Sequence, residues 1–527
     1  MNARRELREL PGSDCGEPDR AARIGDVDPA RPLALSLHLR DPDAAAHPPG
    51  SAADLAALAR PLTRKQLADR RRRRFAEAGR KVAAFAAEAG LDVVDINLPR
   101  RRIRLAGSAA QAARAFEARL ALYERDGRRF HARSGTLSLP DAIAPWVQSV
   151  LGLDARTRVR RAVPHVADAG QGGAGGPDGL WPNAMAQLYG ITTQEGAAGQ
   201  CIGLVELAGG YAADDLAAAA QRMGVARPKV TDVGLLGGAN AFDQGTPADR
   251  EVALDLQVVA GAAPGAAIAV YFAPWDKFAD AVLDAVHDNR RKPTVLSISW
   301  GVAESAWMAD ELAVMNRALR DAAQLGITVT AAAGDALATD GQFGAHAHVD
   351  FPASSPYVLG CGGTRITLAP DGRSIADEVV WKDGTSGTGG GISDRFDVPD
   401  FQAGLALPAS ANGDGRKGRG VPDLAAAAAL VNGYRTVVAG VEAVQPGTSA
   451  VAPLIAALVA LANARRGKPL GLVNPFLYAN ASLFRPITQG DNISRGVGYQ
   501  AGPGWNACCG LGAPKGAAIL AALAAVA

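Results

Sequence analysis

Short apolar runs alternate with amphipathic segments over roughly the last two thirds of the chain. The apolar runs are 201–207, 229–235, 266–272, 294–299 and 327–333. The segments between them repeat their apolar positions with a helical period: 212–223, 249–260, 278–289 and 306–325. Buried strands that alternate with amphipathic helices are typical of a parallel sheet with helices on both faces. Functional side chains of such a sheet are expected beyond the carboxyl ends of its strands.

The first part of the chain has a different pattern. Residues 32–40 alternate apolar and polar side chains, which predicts a half-buried strand. The following segments predict helices at 51–60, 63–90 and 108–121, and strands at 91–96, 102–105 and 130–139. This order predicts a small α+β (ferredoxin-like) front module over residues 1–165.

A Gly-rich, polar segment at 166–180 separates the front module from a larger domain at 181–527. Such composition predicts a flexible linker that proteases can reach. A small module, a cleavable linker and a larger domain form the arrangement of a zymogen. A plain two-domain protein with a loose tether is the alternative interpretation.

Composition excludes several classes of protein. With 527 residues, 48% apolar content and 61 glycines, the chain predicts a globular α/β protein of more than one core. A net charge of +2 does not indicate a nucleic-acid partner, and the arginine run 70–74 is interpreted as a solvated helix face. The apolar run 258–272 is interrupted by Gly and Pro, so no membrane span is expected there.

The cysteines and the N-terminal residues give no clear sign of a metal site, a disulfide framework or a targeting signal. Five cysteines have neither zinc-type spacing nor the even number of a disulfide framework. The first residues are charged and lack an apolar stretch, so no ordinary signal peptide is visible.

One serine stands out in the segment 445–453, which ends a Gly-containing loop and opens a helix that runs to about residue 464. Thr448 or Ser449 lies where a helix N-cap is expected, and Pro453 falls in the first turn. The field at a helix N-terminus favours developing negative charge. Ser449 is therefore either a capping residue or a nucleophile.

Acidic residues occur where stability alone does not call for them. Glu251 and Asp255 are four residues apart in an otherwise apolar helix, where like charges cost roughly 0.2–0.5 kcal/mol. Asp335 ends the apolar run 331–335, and Glu206 ends another. The alternatives are a solvated helix edge for the first pair and a turn cap for Asp335. Trp300, directly after the run 294–299, is predicted to line the cleft.

A serine nucleophile needs a base, and the histidines are poorly placed to serve. The seven are His38, His47, His131, His165, His287, His346 and His348. The first four belong to the front module or the linker region, and none is followed by glycine. Carboxylates remain, and a base with a pKa near 4 works only in acid. At that pH a protonated Asp335 could donate a hydrogen bond to an oxyanion.

These residues resemble the sedolisin family of serine-carboxyl peptidases. The resemblance is carried by ELAGGY at 206–211, E-x-x-x-D at 251–255, SISWG at 297–301, AAAGD at 331–335, VDFPASSP at 349–356 and GTSAVAP at 447–453. These motifs occur in the family's order across residues 182–520. The front module resembles the family's activation propeptide at 62–64 and 134–140.

The resemblance implies a subtilisin-like catalytic fold, polypeptide substrates, an extracellular location and a propeptide that inhibits the enzyme and removes itself. It implies the following roles: nucleophile Ser449, base Glu251, supporting acid Asp255, oxyanion partner Asp335, hydrogen-bonded extension Glu206 and Trp300, and substrate subsite Asp350.

The family's calcium site departs from its pattern in this chain. Pro486 and Asn506 stand where two aspartates are expected. The remaining candidate ligands are the carbonyls of Ile487, Gly502 and Gly504 and the Asn506 amide. Calcium prefers charged oxygen ligands, so weak or absent calcium binding is expected.

The leading hypothesis is an acid-active serine endopeptidase made as a zymogen, with no nucleic-acid or membrane partner. One alternative is a neutral subtilisin-like protease that uses a histidine. Another is a catalytically silent relative that acts as a binding or secretion module. The pH–rate profile and self-processing in acid distinguish the three.

Overall fold

The computed structural model describes residues 6–43, 47–156, 160–161, 179–191 and 196–525. Most of the predicted linker 166–180 lies outside these residues. Its last two positions form the strand Gly179–Leu180, which pairs in parallel with the start of Gly433–Val438. Within the described residues, the front module (6–156) has a hydrophobic core of its own. The larger domain (179–525) has two.

An eight-stranded sheet organises the larger domain. In spatial order its strands are Lys229–Gly234, Ala267–Phe272, Cys201–Glu206, Val295–Ile298, Thr328–Ala332 and Leu359–Leu368, with Ile375–Val380 and Leu424–Ala427 both paired to the last. All pairings are parallel except the one between Leu359–Leu368 and Ile375–Val380. The predicted parallel sheet is therefore confirmed, with an antiparallel strand at one edge.

Successive residues of each strand face opposite sides of the sheet, which gives the two cores. Ile268 and Val270 pack in the core of the helices Pro247–Ala262 and Val451–Arg466. Ala269 and Tyr271 pack in the core of two other helices, Phe278–Val286 and Ala309–Gln324. The remaining helices of this domain are Pro182–Leu188, Ala213–Met223, Asn474–Ala479 and Gly516–Ala524. This is the subtilisin-like arrangement, with helices on both faces.

Short strands surround the central sheet and shape its edges. They pair as Trp300–Ala303 with Asp350–Phe351, Gly433–Val438 with Val441–Gln445, Lys382–Asp383 with Ser386–Gly387, Gly391–Ile392 with Gly420–Val421, and Phe484–Arg485 with Ala513–Pro514. By length and composition, the helical stretch Thr448–Arg466 could cross a membrane. It lies at the centre of the domain, with 89% of its most apolar window buried, as expected of a core helix.

The front module is a ferredoxin-like sandwich. Its four-stranded antiparallel sheet has the order Asp92–Asn97, Arg102–Ser108, Pro32–Leu39, Val147–Leu151. Its helices are Ala52–Leu58, Arg64–Glu88 and Ala109–Phe116. A second sheet contains Ala22–Asp26, Arg119–Arg125 and Arg128–Ser134, and Leu7–Glu9 pairs with Ser138–Pro140.

Two boundaries in the front module differ from the prediction. The fourth strand of the main sheet is Val147–Leu151, and the predicted 130–139 contributes to the smaller pairings instead. The predicted helix 108–121 ends at Phe116, because Glu117 adopts a left-handed conformation with φ 50°. Ala118 and Ala121 continue the helical spacing of apolar residues, but both are buried after the helix has ended. Apolar spacing alone did not reveal this turn.

The front module docks on the helices Phe278–Val286 and Ala309–Gln324 through buried ion pairs. Arg71 donates to Asp321 at 2.7 Å, and Arg102 donates to Asp280 at 3.0 Å. The interpretation of the run 70–74 as a solvated face is therefore wrong for Arg71, although Arg72 is exposed beside Asp69. The two domains are thus joined by charges that only the docked state brings together.

Candidate active site

Ser449 lies in a tight turn, Thr448–Ala450, that precedes the helix Val451–Arg466. The N-cap of this helix is Ala450, and no side chain caps it. The predicted N-cap at 448 or 449 is therefore wrong, and so is the interpretation of Ser449 as a capping serine. Ser449 is fully buried, and its Oγ has no hydrogen-bond partner in the part of the chain that the structure describes. The hydroxyl thus has no structural role that competes with chemistry.

Asp335 is fixed next to Ser449. It follows the strand Thr328–Ala332 at the carboxyl edge of the sheet and is 4% exposed. Its Oδ1 accepts hydrogen bonds from the Thr448 backbone N–H at 2.8 Å and from the Thr448 Oγ1 at 2.6 Å. Because Oδ1 serves as an acceptor for two donors, a proton on this carboxyl resides on Oδ2. The turn-cap interpretation does not describe this arrangement.

The helix Pro247–Ala262 supplies two further carboxyls. Its N-terminus is capped reciprocally by Thr246 and Asp249, as expected of an acid at that end. Glu251 and Asp255 are fully buried, so neither belongs to a solvated edge. This helix packs against the turn that contains Ser449. The two acids therefore face the inside of the domain on the side of the serine.

Ser299 links this helix to the turn that contains Ser449. Its Oγ donates to Asp255 Oδ2 at 2.7 Å and lies 3.2 Å from the Ser449 carbonyl oxygen. Ser299 immediately follows the strand Val295–Ile298, so the sheet itself fixes the hydroxyl between the two groups.

Glu206 and Trp300 extend this hydrogen-bonded cluster. Trp300 Nε1 donates to Glu206 Oε2 at 2.9 Å, and the indole packs edge-to-face against Trp275 at 4.9 Å between ring centroids. Both Glu206 and Trp300 are buried. That they line the cleft stays a prediction.

Burial dominates the protonation of these acids. It raises the pKa of Glu206 well above the usual carboxyl value; the Trp300 hydrogen bond opposes this shift and the charge of Glu251 adds to it. Burial also raises the pKa of Asp255, and the charges of Glu206 and Glu251 raise it further. Three buried carboxyls close together cannot all ionise, so the cluster retains protons at pH values where free carboxyls have lost them.

The strand Trp300–Ala303 begins directly after Ser299 and is the predicted wall of the cleft. Residues 160 and 161 of the chain pair with it antiparallel, in the register Arg160 with Gly301 and Arg161 with Trp300. Arg161 therefore lies one residue nearer to Ser299 along this strand than Arg160 does. Arg160 and Arg161 thus form a β-strand beside this predicted wall.

Asp350 lies beneath this wall. It pairs with Ala303, and a Cβ added to Gly301 would meet Asp350 Oδ1 at 1.9 Å. Burial raises the pKa of Asp350, and the charges of Asp340, Asp335 and Glu304 add to the effect. Glycine at 301 is required by this close approach. A role of Asp350 in a substrate subsite stays a prediction.

Two polar residues beside the predicted site make contacts that the sequence did not reveal. Thr448 fixes Asp335, and Ser299 joins Asp255 to the Ser449 backbone. Only their positions in the sequence could have indicated them: Thr448 directly precedes Ser449, and Ser299 lies between a predicted strand and Trp300. A hydroxyl at the end of a strand is common, so the sequence did not distinguish either residue.

No described histidine hydrogen-bonds to Ser449. His38 and His287 lie against Asp280 and Asp321 at the domain interface, so the view of His287 as plain helix surface is wrong. His348 lies beside Ser305 in a loop, and His131 lies against the Gly152 carbonyl in the front module. His165 lies outside the described residues.

The predicted calcium ligands lie together but do not fit a cation. Asn506 Nδ2 donates to the Ile487 carbonyl at 3.0 Å and to the Gly502 carbonyl at 3.2 Å. The two carbonyls proposed as ligands therefore face N–H groups, and no carboxylate belongs to the set. Across the described ranges, no three His, Cys, Asp or Glu side chains form a group that could hold a metal.

Comparison with known proteins agrees with this architecture. Residues 20–156 match the family described as "Pro-kumamolisin, activation domain", and residues 234–474 match the subtilase family. The chain is 43% identical to kumamolisin from Bacillus sp. (strain MN-32) over 84% of this chain and 82% of that protein. It is 30% identical to tripeptidyl-peptidase sed5 from Aspergillus fumigatus over 72% and 71% of the two chains.

A solved structure shares the fold of the larger domain. It is sedolisin from Pseudomonas, titled a serine-carboxyl proteinase, in complex with two molecules of pseudo-iodotyrostatin. The match has a TM-score of 0.59 at 26% identity and covers 66% of this chain and 98% of that one.

Proposed function

Because the chain belongs to the sedolisin family of serine-carboxyl peptidases, we propose that it is an acid-active endopeptidase made as a self-processing zymogen. The observation that carries this proposal is the cluster around Ser449. A buried serine without a structural partner lies between a carboxyl held by Thr448 and a helix with two buried acids. No described histidine takes part in this cluster.

The nucleophile in this proposal is Ser449, and its base is Glu251. As the Oγ attacks the carbonyl carbon of the scissile peptide bond, its proton passes to the Glu251 carboxylate. Asp255 is the proposed supporting acid of Glu251 and is itself held by Ser299 through Oδ2. Glu206 and Trp300, which are buried and hydrogen-bonded to each other, complete the cluster.

The attacked carbonyl becomes an oxyanion, and Asp335 is its proposed hydrogen-bond donor. With Oδ1 accepting from Thr448, the proton of a neutral Asp335 resides on Oδ2. When the tetrahedral intermediate collapses, the C–N bond breaks and the amine leaves with the proton held by Glu251. Water then hydrolyses the ester on Ser449 by the reverse proton transfers.

The two roles limit the working pH from opposite sides. Glu251 must be ionised to accept a proton, whereas Asp335 must be protonated to donate one. Both states coexist only where the pH lies between the pKa values of the two groups. An extracellular, acidic setting suits this requirement and is part of the proposal.

The front module acts in this proposal as an inhibitory propeptide. Its last described residues, Arg160 and Arg161, occupy the cleft strand in the manner of a peptide substrate. The strand direction leads toward Ser299, so we place the self-cleavage site a short distance after Arg161. The predicted linker supplies the chain to be cut.

The test is acid incubation of the purified full-length chain, followed by mass spectrometry. We expect the wild type to lose its front module and expose a new N-terminus between residues 162 and 181. Ser449→Ala should remain full length under the same conditions. If Ser449→Ala is processed normally in isolation, Ser449 is not the nucleophile. If the wild type stays intact and cleaves no protein substrate, the chain is a silent relative.

Product masses from a long peptide also define the type of peptidase. An endopeptidase yields internal fragments of varied length, whereas successive tripeptides from the N-terminus would contradict this part of the proposal.

A further inference from the structure

The C-terminal loop (486–512) contains an asparagine whose amide makes hydrogen bonds on both sides. The two N–H groups on Nδ2 point at the carbonyls of Ile487 and Gly502, at 3.0 and 3.2 Å. On the other side, Oδ1 of Asn506 accepts from the backbone N–H groups of Cys508 and Cys509, at 3.2 and 3.0 Å. All strong hydrogen-bonding positions of the amide point at fixed backbone partners.

The direction of this amide follows from its partners. Backbone carbonyls only accept and backbone N–H groups only donate, so turning the amide over would place oxygen against oxygen and nitrogen against nitrogen. Asn506 is 7% exposed, and reversal would therefore leave four buried polar groups unsatisfied. One orientation is strongly preferred.

The amide nitrogen lies between the carbonyls of Ile487 and Gly502, two of the predicted calcium ligands. A calcium ion needs several oxygen ligands and gains most of its affinity from carboxylates. Here the two carbonyls already receive N–H donors, and the asparagine oxygen is already used by the backbone. The carboxylate of Asp491, elsewhere in the loop, accepts from Lys382 Nζ at 2.5 Å and from the Ile493 N–H at 2.9 Å.

We infer that the Asn506 amide takes the place of a metal ion in this loop, so that the larger domain folds and keeps its stability without calcium. The amide does what a bound cation does: it draws distant carbonyls together. It achieves this with two neutral hydrogen bonds, and Pro486 at the start of the loop leaves no carboxylate for a cation to neutralise.

The loop matters because it contacts the segment 387–390, which in turn holds the backbone of Asp335. Thr388 Oγ1 donates to the Cys508 carbonyl at 3.4 Å, and a Cβ added to Gly390 would meet the Ala507 carbonyl at 2.2 Å. The neighbouring Gly387 donates its N–H to the Asp335 carbonyl at 2.9 Å. Correct placement of the loop therefore reaches the catalytic edge of the sheet within a few residues.

The first test uses the unmodified full-length protein at neutral pH. Its melting temperature is measured by calorimetry after EDTA treatment and again with millimolar calcium chloride. We expect the two melting temperatures to agree within about 1 °C, since a ligand that does not bind the native state does not stabilise it. A clear fall with EDTA that calcium reverses, or stoichiometric calcium binding in a titration, would overturn the inference.

The second test is Asn506→Asp, which keeps the size of the side chain and replaces the two N–H donors by an oxygen. That oxygen faces the Ile487 and Gly502 carbonyls, so the melting temperature should fall by several degrees without calcium. Added calcium should restore part of the loss, because one carboxylate and the freed carbonyls now form a weak site. A variant as stable as the wild type without calcium would contradict the role of the amide.

The matched control is Asn480→Asp. Asn480 Nδ2 also donates to a backbone carbonyl, that of Phe476 at 2.8 Å, but outside the loop. Its variant should show the general cost of losing such a bond and no response to calcium. If Asn506→Asp does not fold, the calcium and EDTA comparison on the wild type still decides the inference. No readout involves catalysis, so failure here leaves the proposed peptidase function untouched.

Discussion

Two groups of buried carboxyls in this protein have opposite environments. At the proposed active site, Asp255 and Glu206 accept hydrogen bonds from a serine hydroxyl and an indole N–H, and their pKa values are raised. At the domain interface, Asp321 and Asp280 meet arginines and histidines. Burial would raise the pKa of these two acids, but the adjacent Arg71 and His38 outweigh it and hold both below the usual value.

The difference teaches how one stimulus can have two effects. Near neutral pH the interface carboxylates are ionised and bind the front module, while the active-site cluster retains protons. As the pH falls, the interface weakens because docking lowers the pKa values of its histidine and carboxyl groups and so opposes their protonation, whereas the site reaches the protonation state that the proposed chemistry needs. The environment of each acid, rather than its chemical type, assigns its function.

The largest expected effect tests the buried acids of the proposed active site. Glu251→Gln keeps the shape of the side chain but cannot accept a proton, so kcat should fall by about 10³-fold or more. The measurement is hydrolysis of a peptide substrate by pre-processed enzyme. Glu442→Gln is the control, because Glu442 is partly exposed in an ion pair with Arg222. Retention of more than a tenth of wild-type kcat in Glu251→Gln would remove Glu251 as the base.

The next effect tests the buried carboxyls at the domain interface. Arg71→Met leaves the buried Asp321 with less compensation, which costs about 3 kcal/mol of docking energy, or roughly 100-fold in affinity. We expect faster self-processing in mild acid, and gel electrophoresis of samples taken over time is the measurement. Arg72→Met, one residue along the same helix but 60% exposed in its side chain, should process like the wild type. Equal rates for both variants would show that the buried ion pair does not restrain the zymogen.

A smaller effect concerns the pH at which the interface weakens. Burial lowers the pKa of His287 from 6.5 to about 4, so the docked state favours the neutral imidazole. Stability from this group is present above pH 6.5 and is lost as the pH falls from 6.5 toward 4. Asp321 and Asp280, with lowered pKa values, lose their contribution only below their ordinary pKa of 3.8. Acid should therefore weaken the interface in two stages.

The Ser449→Ala chain, which should not cut itself, allows this to be measured. Its melting temperature is expected to fall by a few degrees between pH 6.5 and 4, and again below pH 3.8. Adding His287→Gln should remove the first stage and leave the second. A first stage that survives this change would assign it to a different group.

The smallest effect tests the hydrogen bond that Ser299 donates to Asp255 in the proposed active site. Ser299→Ala removes the donor to Asp255 Oδ2, which should lower kcat about tenfold with little change in KM and shift the acid limb of the pH profile upward. Ser297→Ala is the matched control, because Ser297 is equally buried two residues earlier and its hydroxyl has no partner in the described residues. Identical pH profiles for both variants would leave Ser299 a purely structural residue.

Much of the fold could be predicted because the strands of the larger domain are apolar on both faces. Their runs, such as Cys201–Glu206 and Thr328–Ala332, are recognisable without knowledge of their neighbours. The front module was harder: Val147–Leu151 is short and mixed in polarity, and the spacing of Ala118 and Ala121 also suits a helix. A left-handed residue such as Glu117 leaves no signature in the apolar pattern.

The site residues were accessible from the sequence, but their surroundings were not. Glu251, Asp255, Asp335 and Ser449 occur in motifs, and the structure brings them to one edge of the sheet. The burial of Arg71 depends on docking between domains, and the two-sided bonding of Asn506 depends on the direction of an amide. Both are properties of distant partners, which spacing along the chain does not encode.

The central claim is that carboxyl groups, rather than an imidazole, activate Ser449. Its most direct test is the pH dependence of kcat/KM for peptide hydrolysis by the processed wild-type enzyme, since this profile reports the ionisation of the free enzyme's acid and base. The account predicts a bell-shaped profile with its maximum at roughly pH 3–5 and little activity at pH 7. A maximum above pH 7, with an acid limb near the pKa of histidine, would contradict it.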